Sequence, residues 1–272
     1  MATPSRFWAD LRTRDFAALD PATTVAVLPV AAIEQHGPHL PLSVDQTLVD
    51  GVVAACLPHL TAPLPVLFLP TQQCGYSPEH SRFPGTLTLA SATVVSTWIE
   101  LGQCVAAAGL KKLLLLNSHG GQVSLMDIVA RELRGRANLI VYSCSWWNLP
   151  LGAQVNGLFS PEEHRFGVHG GEIETSMMLA LRPQSVAMER ARNFKSTSQE
   201  RAAAFPILGN GSSAKLGWQM QDYNPAGAAG NAEAATAEKG EALVQAAGRQ
   251  LALLLAEFSR LPLSTLVDRP QV

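Results

Sequence analysis

Apolar residues run along this chain in solid blocks, each ending abruptly in a short polar turn. Residues 24–33 (Thr-Val-Ala-Val-Leu-Pro-Val-Ala-Ala-Ile) are apolar at both parities, as expected of a central strand covered on both faces. The block stops at Glu34-Gln35-His36-Gly37-Pro38-His39. Residues 46–59 read as a helix, with Ser43 or Asp45 near its start, and residues 64–70 as a second strand. A loop rich in Gly, Ser, Pro and His spans 72–86. Residues 91–108 form the next predicted helix, with Ser91 as N-cap and Gly109 as stop signal. A strand over 111–116 ends in Asn117-Ser118-His119-Gly120-Gly121. A helix follows over 123–133, and a strand over 139–142 leads into Ser145-Trp146-Trp147-Asn148.

Strand, polar turn and helix thus recur, which predicts an α/β fold with a mostly parallel sheet covered by helices on both faces. Ligands of such sheets bind beyond the carboxyl ends of the strands. That geometry sets Glu34, His36, His119 and Trp147 along one rim. Two long irregular connections are predicted, over 149–168 and 190–232, and connections of that length are usually functional or mobile. The last element is an Ala-rich helix over 232–258. No tandem repeat or interdomain linker is visible, so the 272 residues read as a single domain with its core over about 20–258.

Composition narrows the partners. Hydrophobic residues make up 47% and charged residues 15%, a balance that suits a homo-oligomer hiding part of its surface. The net charge is −2 with no basic block, which argues against nucleic acid. Cys56, Cys74, Cys104 and Cys144 are scattered without a CxxC pair, as in a reduced, cytoplasmic protein. The first ten residues lack the apolar core of a signal peptide, and no apolar run reaches the roughly 18 residues that span a membrane.

Three clusters carry candidate chemistry. Glu34 and His36, two apart at a strand end, share one face, and Asp45 follows a Gly-Pro turn that can fold back. A carboxylate and an imidazole on one face make half of a divalent-metal site. His119 sits between an apolar strand and Gly120-Gly121, where the backbone can approach a ligand closely. His169-Gly170-Gly171-Glu172-Ile173-Glu174 precedes a helical run from Met177. Each cluster has a plainer reading: a hydrogen-bonded turn, a capping or core histidine, acids complementing a helix dipole. Together they suggest oxygen and imidazole ligands for Zn2+, Mn2+ or Fe2+. Two such ions sharing a carboxylate and a water suit hydroxide attack on a carbonyl. A dinucleotide enzyme is disfavoured, because no Gly-x-Gly-x-x-Gly follows the first strand.

These segments resemble the creatininase (creatinine amidohydrolase) family. The matching stretches are Ile33-Glu34-Gln35-His36-Gly37-Pro38-His39-Leu40-Pro41 with Asp45, and Ser77-Pro78-Glu79-His80-Ser81-Arg82-Phe83-Pro84-Gly85-Thr86. They continue through Asn117-Ser118-His119-Gly120-Gly121 and the stretch from His169 to Ser176, with a weaker match from Gly230 to Gly240. The resemblance implies a three-layer α/β/α domain, often hexameric, that uses two divalent metals to cleave C–N bonds of amides or lactams. It implies Glu34 and His119 on one ion, His36 on the other and Asp45 between them. It also implies His169 as the proton shuttle, Ser77 or His80 touching substrate, and Trp147 lining the pocket.

Two departures from the family pattern bear on substrate. Creatininase carries an acid where this chain has Gly121, whereas other members of the family carry one in the His-Gly-Gly-Glu segment, so the resemblance implies Glu172 as the fifth ligand, with Glu174 orienting a ligand or capping the helix. Creatininase also carries a Trp-Asp pair just before the His-Gly-Gly stretch, where this chain reads Arg165-Phe166. Arg165, if it faces the pocket, favours an anionic or carbonyl-rich substrate, and creatinine itself is not expected. A deformylase or peptidase acting on a linear bond remains the alternative hydrolase, and a metal- or ligand-binding homologue without catalysis the alternative of another class.

Overall fold

The computed structural model describes residues 5–61 and 64–270. Its centre is a four-stranded parallel sheet, order β2-β1-β3-β4, built from β1 (Val25–Val30), β2 (Val66–Phe68), β3 (Lys112–Asn117) and β4 (Ile140–Ser145). Between the strands lie α1 (Val44–Cys56), α2 (Ser91–Ala107) and α3 (Val123–Ala137). The chain continues through α4 (Ala153–Asn156), α5 (Pro161–Phe166) and α6 (Glu172–Leu181). It then forms β5 (Asn193–Phe194), α7 (Ser198–Ala204), α8 (Met220–Tyr223) and β6 (Gly230–Asn231), and ends in α9 (Ala237–Arg260).

The period of two in β1 and β3 divides their apolar side chains between two cores. Val25, Val27, Leu114 and Leu116 point to α1, α6 and α9, while Ala26, Leu28, Leu113 and Leu115 point to α2 and α3. Helices therefore cover both faces, as the block pattern predicts. Strand β2 is shorter than expected because Pro65 and Pro70 bracket it, and proline cannot donate to a ladder. Pro29 is tolerated in central β1 because the ladder on the β2 side is interrupted there, between the Val27–Phe68 pair and the Val30–Gln72 bridge.

The two long connections are less irregular than their sequence suggests. They contain α4 and α5, then α7, α8 and the antiparallel β5–β6 pair. Helix α9 begins at Ala237, five residues later than expected, because the Thr236 hydroxyl caps it by accepting from Lys239 N at 3.3 Å. Helix α6 starts early, at Glu172, and packs so close to α9 that a side chain at Gly240 would collide with the Ser176 carbonyl. This contact holds α6 against α9, and the first turn of α6 lines the same cavity as Glu34 and His119.

Candidate metal centre and active site

Beyond those strand ends, Glu34, His36, Asp45 and His119 converge with their side chains almost wholly removed from solvent. Asp45 lies in the first turn of α1, where the helix dipole favours a carboxylate. His36 Nδ1 donates to the Glu34 carbonyl at 3.0 Å, which turns Nε2 toward Asp45 Oδ1 (3.5 Å) and Glu174 Oε2 (4.0 Å). His119 Nε2 donates to the Tyr76 carbonyl at 2.9 Å, so Nδ1 faces Glu34 Oε1 (3.2 Å) and Asp45 Oδ2 (3.6 Å). The His119 backbone is clamped in turn: Asn117 Oδ1 accepts its N–H and Asn117 Nδ2 donates to its carbonyl.

Burial disfavours charge here, and the neighbours overrule it unevenly. Glu34 is held well below the usual carboxylate range, because His119, His80 and His169 outweigh its burial. Burial and the Glu34 charge instead push Asp45 up to about 7. Against the pull of burial, the carboxylates raise His36 to about 9 and His119 to about 10. Three buried atoms in this cluster, Glu34 Oε2, His36 Nε2 and Asp45 Oδ2, have no hydrogen-bond partner within the protein. Buried polar atoms without partners are rare and costly, and a divalent cation would satisfy all three. Glu34–Asp45–His119 and His36–Asp45–Glu174 each bring three ligand atoms within 4.8 Å of one another, and Asp45 belongs to both sets. The residues present therefore fit a hard divalent cation.

Glu172 does not join this cluster. Its carboxylate pairs with Lys239 Nζ, and its N–H donates to Glu163 Oε1 at 2.7 Å. Glu174 takes the inward place, with Oε2 accepting the Gly170 N–H at 2.6 Å. The helical period explains the exchange: residues two apart on a helix point to nearly opposite sides, so only one of these acids can face the cluster. Glu172, expected as the fifth ligand, thus stands outside the cluster in this structure and Glu174 inside it.

His80 and His169 form a second pair on the cavity side. Gln35 Nε2 donates to His80 Nδ1 at 2.8 Å, leaving His80 Nε2–H to point at Glu34 Oε1, 3.3 Å away. His169 Nε2 donates to the Gln35 carbonyl at 2.6 Å, leaving the Nδ1 lone pair 3.7 Å from Glu34 Oε1. Burial lowers His80 to about 4, and burial with the nearby His36 and His80 holds His169 well below the usual imidazole range. Each of these two faces Glu34 alone and burial keeps it neutral, whereas His36 and His119 each face at least two carboxylates.

A cavity of about 450 Å³ opens over these groups. Trp147, 38% exposed, stands at its edge beside Trp146, and His80 lines it. Ser77 is fully buried and lies behind His119, 3.3 Å from Nε2, rather than on the cavity wall. Arg165 is exposed, lies over the Phe166 ring and does not line the cavity, so it gives no grounds for an anionic substrate. Several lining residues had no role in the sequence reading. Glu79 sits beside Gly121 and 3.5 Å from His119 Nε2, in the space a side chain at 121 would need. Glu163 caps α6 and holds the Asn231 N–H. Trp218 comes from the 190–232 connection. Adjacency to His80 was a signal for Glu79. The lone tryptophan in a small-residue stretch was one for Trp218.

Known proteins share this fold and part of this sequence. The family model described as creatininase, creatinine amidohydrolase, matches residues 9–255. A creatinine amidohydrolase from Pseudomonas putida is 32% identical over 67% of this chain and 74% of its own length. A mycofactocin precursor peptide peptidase from Mycobacterium tuberculosis is 31% identical over 61% of this chain and 62% of its own. A solved creatininase with a Trp-to-Phe substitution superposes at a TM-score of 0.74, with 28% identity, over 93% of this chain and 98% of that one. The fold defines a hydrolase, and the amidohydrolase and peptidase relatives act on amide C–N bonds. The chain belongs to the creatininase family.

Proposed function

We propose that the protein is a dinuclear divalent-metal hydrolase that cleaves the C–N bond of a small amide or lactam other than creatinine. The observation that carries this reading is the buried trio of unpartnered ligand atoms on Glu34, His36 and Asp45. One ion would be held by Glu34, Asp45 and His119, the other by His36, Asp45 and Glu174. Solved creatininases of this fold include a manganese form and a zinc–zinc form, which supports zinc or manganese at the site, with iron the remaining candidate of the same ligand chemistry. When bound, such ions lower the pKa of water and polarise a carbonyl oxygen.

The protein's own groups supply the rest. His169 Nδ1, neutral and with its lone pair free, accepts the proton of the attacking water and returns it to the leaving nitrogen. Gln35 holds His169 through its carbonyl and His80 through its amide, so one residue sets both rings. Glu174 is braced by the Gly170 N–H. Trp147 and His80 stand where substrate enters.

Metal analysis of the purified protein tests the reading. Two equivalents per chain are expected, falling together with amide hydrolysis in His36→Ala and Asp45→Ala. Full turnover by metal-stripped protein would sink it. A linear formamide or peptide bond is the second reading, favoured by the kinship with a peptidase and by the open cavity. A screen of lactams, formamides, ureas and short peptides, read by release of ammonia, amine or formate, separates the two. Self-association belongs to the same proposal: Phe205, Ile207 and Leu208 lie more than half exposed in one stretch. Sedimentation of the holoenzyme as a monomer would refute that part.

A further inference from the structure

We propose that Trp218 is the wall of a recognition subsite for a flat, uncharged or cationic flank of the substrate. The proposal deepens the hydrolase reading and rests on it for the word substrate.

The chain from 210 to 217 is exposed throughout, and Trp218 is where it turns inward to line the same cavity as Glu79 and His80. The indole is braced from behind. Tyr223 packs against it at 4.7 Å between ring centroids, and the Arg201 guanidinium covers Tyr223 at 5.0 Å. Its neighbour Gln219 donates from Nε2 to the Pro78 carbonyl at 3.1 Å and from its N–H to Asp222 Oδ2 at 2.8 Å. Helix α8 is tied to α7 by Thr197, whose N–H donates to the Tyr223 carbonyl and whose hydroxyl donates to that of Asp222. Trp218 also meets the His80 ring edge-on, 6.3 Å between centroids at 89°. A large aromatic surface is therefore held rigid at a cavity wall, next to a histidine that faces Glu34. Rigid aromatic walls of this kind recognise planar groups by stacking.

Charge sets the rest of the preference. The ionisable lining consists of carboxylates and histidines, and among the described residues no Lys or Arg lines the cavity. Lys239 is engaged by Glu172, and Arg165 stands outside. Away from the metal ligands, an N–H-bearing or cationic flank meets Glu79, while a carboxylate meets no protein cation.

Calorimetric titration of the metal-loaded protein with benzamide, benzamidinium and acetamide tests this without requiring turnover. Benzamide and benzamidinium should both bind, and benzamide should bind more tightly than acetamide. Trp218→Ala should cut the benzamide-to-acetamide preference about 3- to 10-fold, the worth of one aromatic contact, while metal content stays at two equivalents. Trp218→Phe should keep most of the preference, and Trp218→Leu, which keeps the apolar bulk, should lose it. An unchanged preference in Trp218→Ala or Trp218→Leu, failure of benzamide to bind, or exclusion of benzamidinium overturns the subsite. The two readings fail separately. A Trp218-dependent preference with no amide hydrolysed keeps the subsite and removes the hydrolase. Hydrolysis with a preference indifferent to Trp218 does the reverse.

Discussion

The half of the site carried by β1, β3 and the start of α1 differs from the half carried by α5, α6 and the segment around Trp218 in what holds its side chains. Glu34, His36 and His119 leave the ends of strands buried on both faces, and Asp45 sits in the first turn of a helix packed on them. Their directions follow from strand parity and local backbone hydrogen bonds. Glu163, His169 and the Trp218 segment stand on short helices and turns that are shaped by contacts from far along the chain, and Glu174 lies on α6, which packs against α9. The first half holds most of the charges that would bind cations. The second adds Glu174 and carries the neutral base His169 and aromatic surface. A rigid charged floor under a wall that can vary is a division by which one family can keep its metal chemistry and change its substrate.

Removing the shared acid of the floor should have the largest effect. In Asp45→Ala both ligand sets lose a member, so metal retention and hydrolysis should disappear together, beyond the roughly 10- to 100-fold loss that follows from disturbing a ligand's outer partner. Metal content by mass analysis beside activity checks it. If both ions stay, Asp45 is not shared.

The two acids of α6 separate floor from scaffold more finely. Glu174→Gln should lose the ion on the His36 side and most of the activity. Glu172→Gln should keep both ions and cost about 1 to 2 kcal/mol of stability, because its half-buried partner Lys239 loses a counter-charge. The reverse pattern in metal analysis and thermal melts would restore Glu172 as the ligand.

The same contrast explains what was legible in the sequence. The sheet, its helices on both faces and the cluster of Glu34, His36, Asp45 and His119 could be read, because blocks of apolar residues fix strands and strand ends fix neighbouring side chains. Choosing between Glu172 and Glu174 required knowing that α6 starts at Glu172 and that Lys239, 67 residues further on, reaches back to it. Arg165 looked available until the turn of α5 placed it outside the cavity. Glu79 was in a recognised motif, but its relation to Gly121 is a matter of shared space between two loops. Local pattern carries no record of such distant contacts.

Adjacent glycines offer a milder probe of the same boundary. A methyl at Gly121 would enter the space of Glu79 Oε1 and His119 Nε2, whereas one at Gly120 meets nothing within 4 Å. Gly121→Ala should therefore displace His119, weaken metal retention and lower kcat. Gly120→Ala should leave metal content and melting temperature unchanged and act on KM, since Gly120 lines the cavity and the added methyl takes substrate room. Equal effects on metal content from the two variants would contradict the close fit of Glu79 against Gly121.

The smallest expected effect concerns pH, and it lies outside the proposed ligands. His39 is buried, its Nε2 meets Thr175 Oγ1 at 2.9 Å, and its ring stacks on Phe194. Burial, with the charge of His36 behind it, lowers its pKa from 6.5 to about 4. The folded state thus prefers neutral His39, while the unfolded chain takes up a proton near 6.5. Between those values the unfolded state binds more protons, so stability falls as pH drops from about 6.5 to about 4 and is fully present above that window. His80 and His169, both lowered, act in the same direction. Asp45, raised to about 7, acts in the opposite direction over the same window, so the test is a difference: in urea unfolding at several pH values His39→Gln, whose amide can still meet Thr175 but does not titrate, should lose less stability on acidification than the wild type. An equal slope in both would mean that His39 already carries its proton in the folded protein, and the contact with Thr175 would then have to be one that an imidazolium donates.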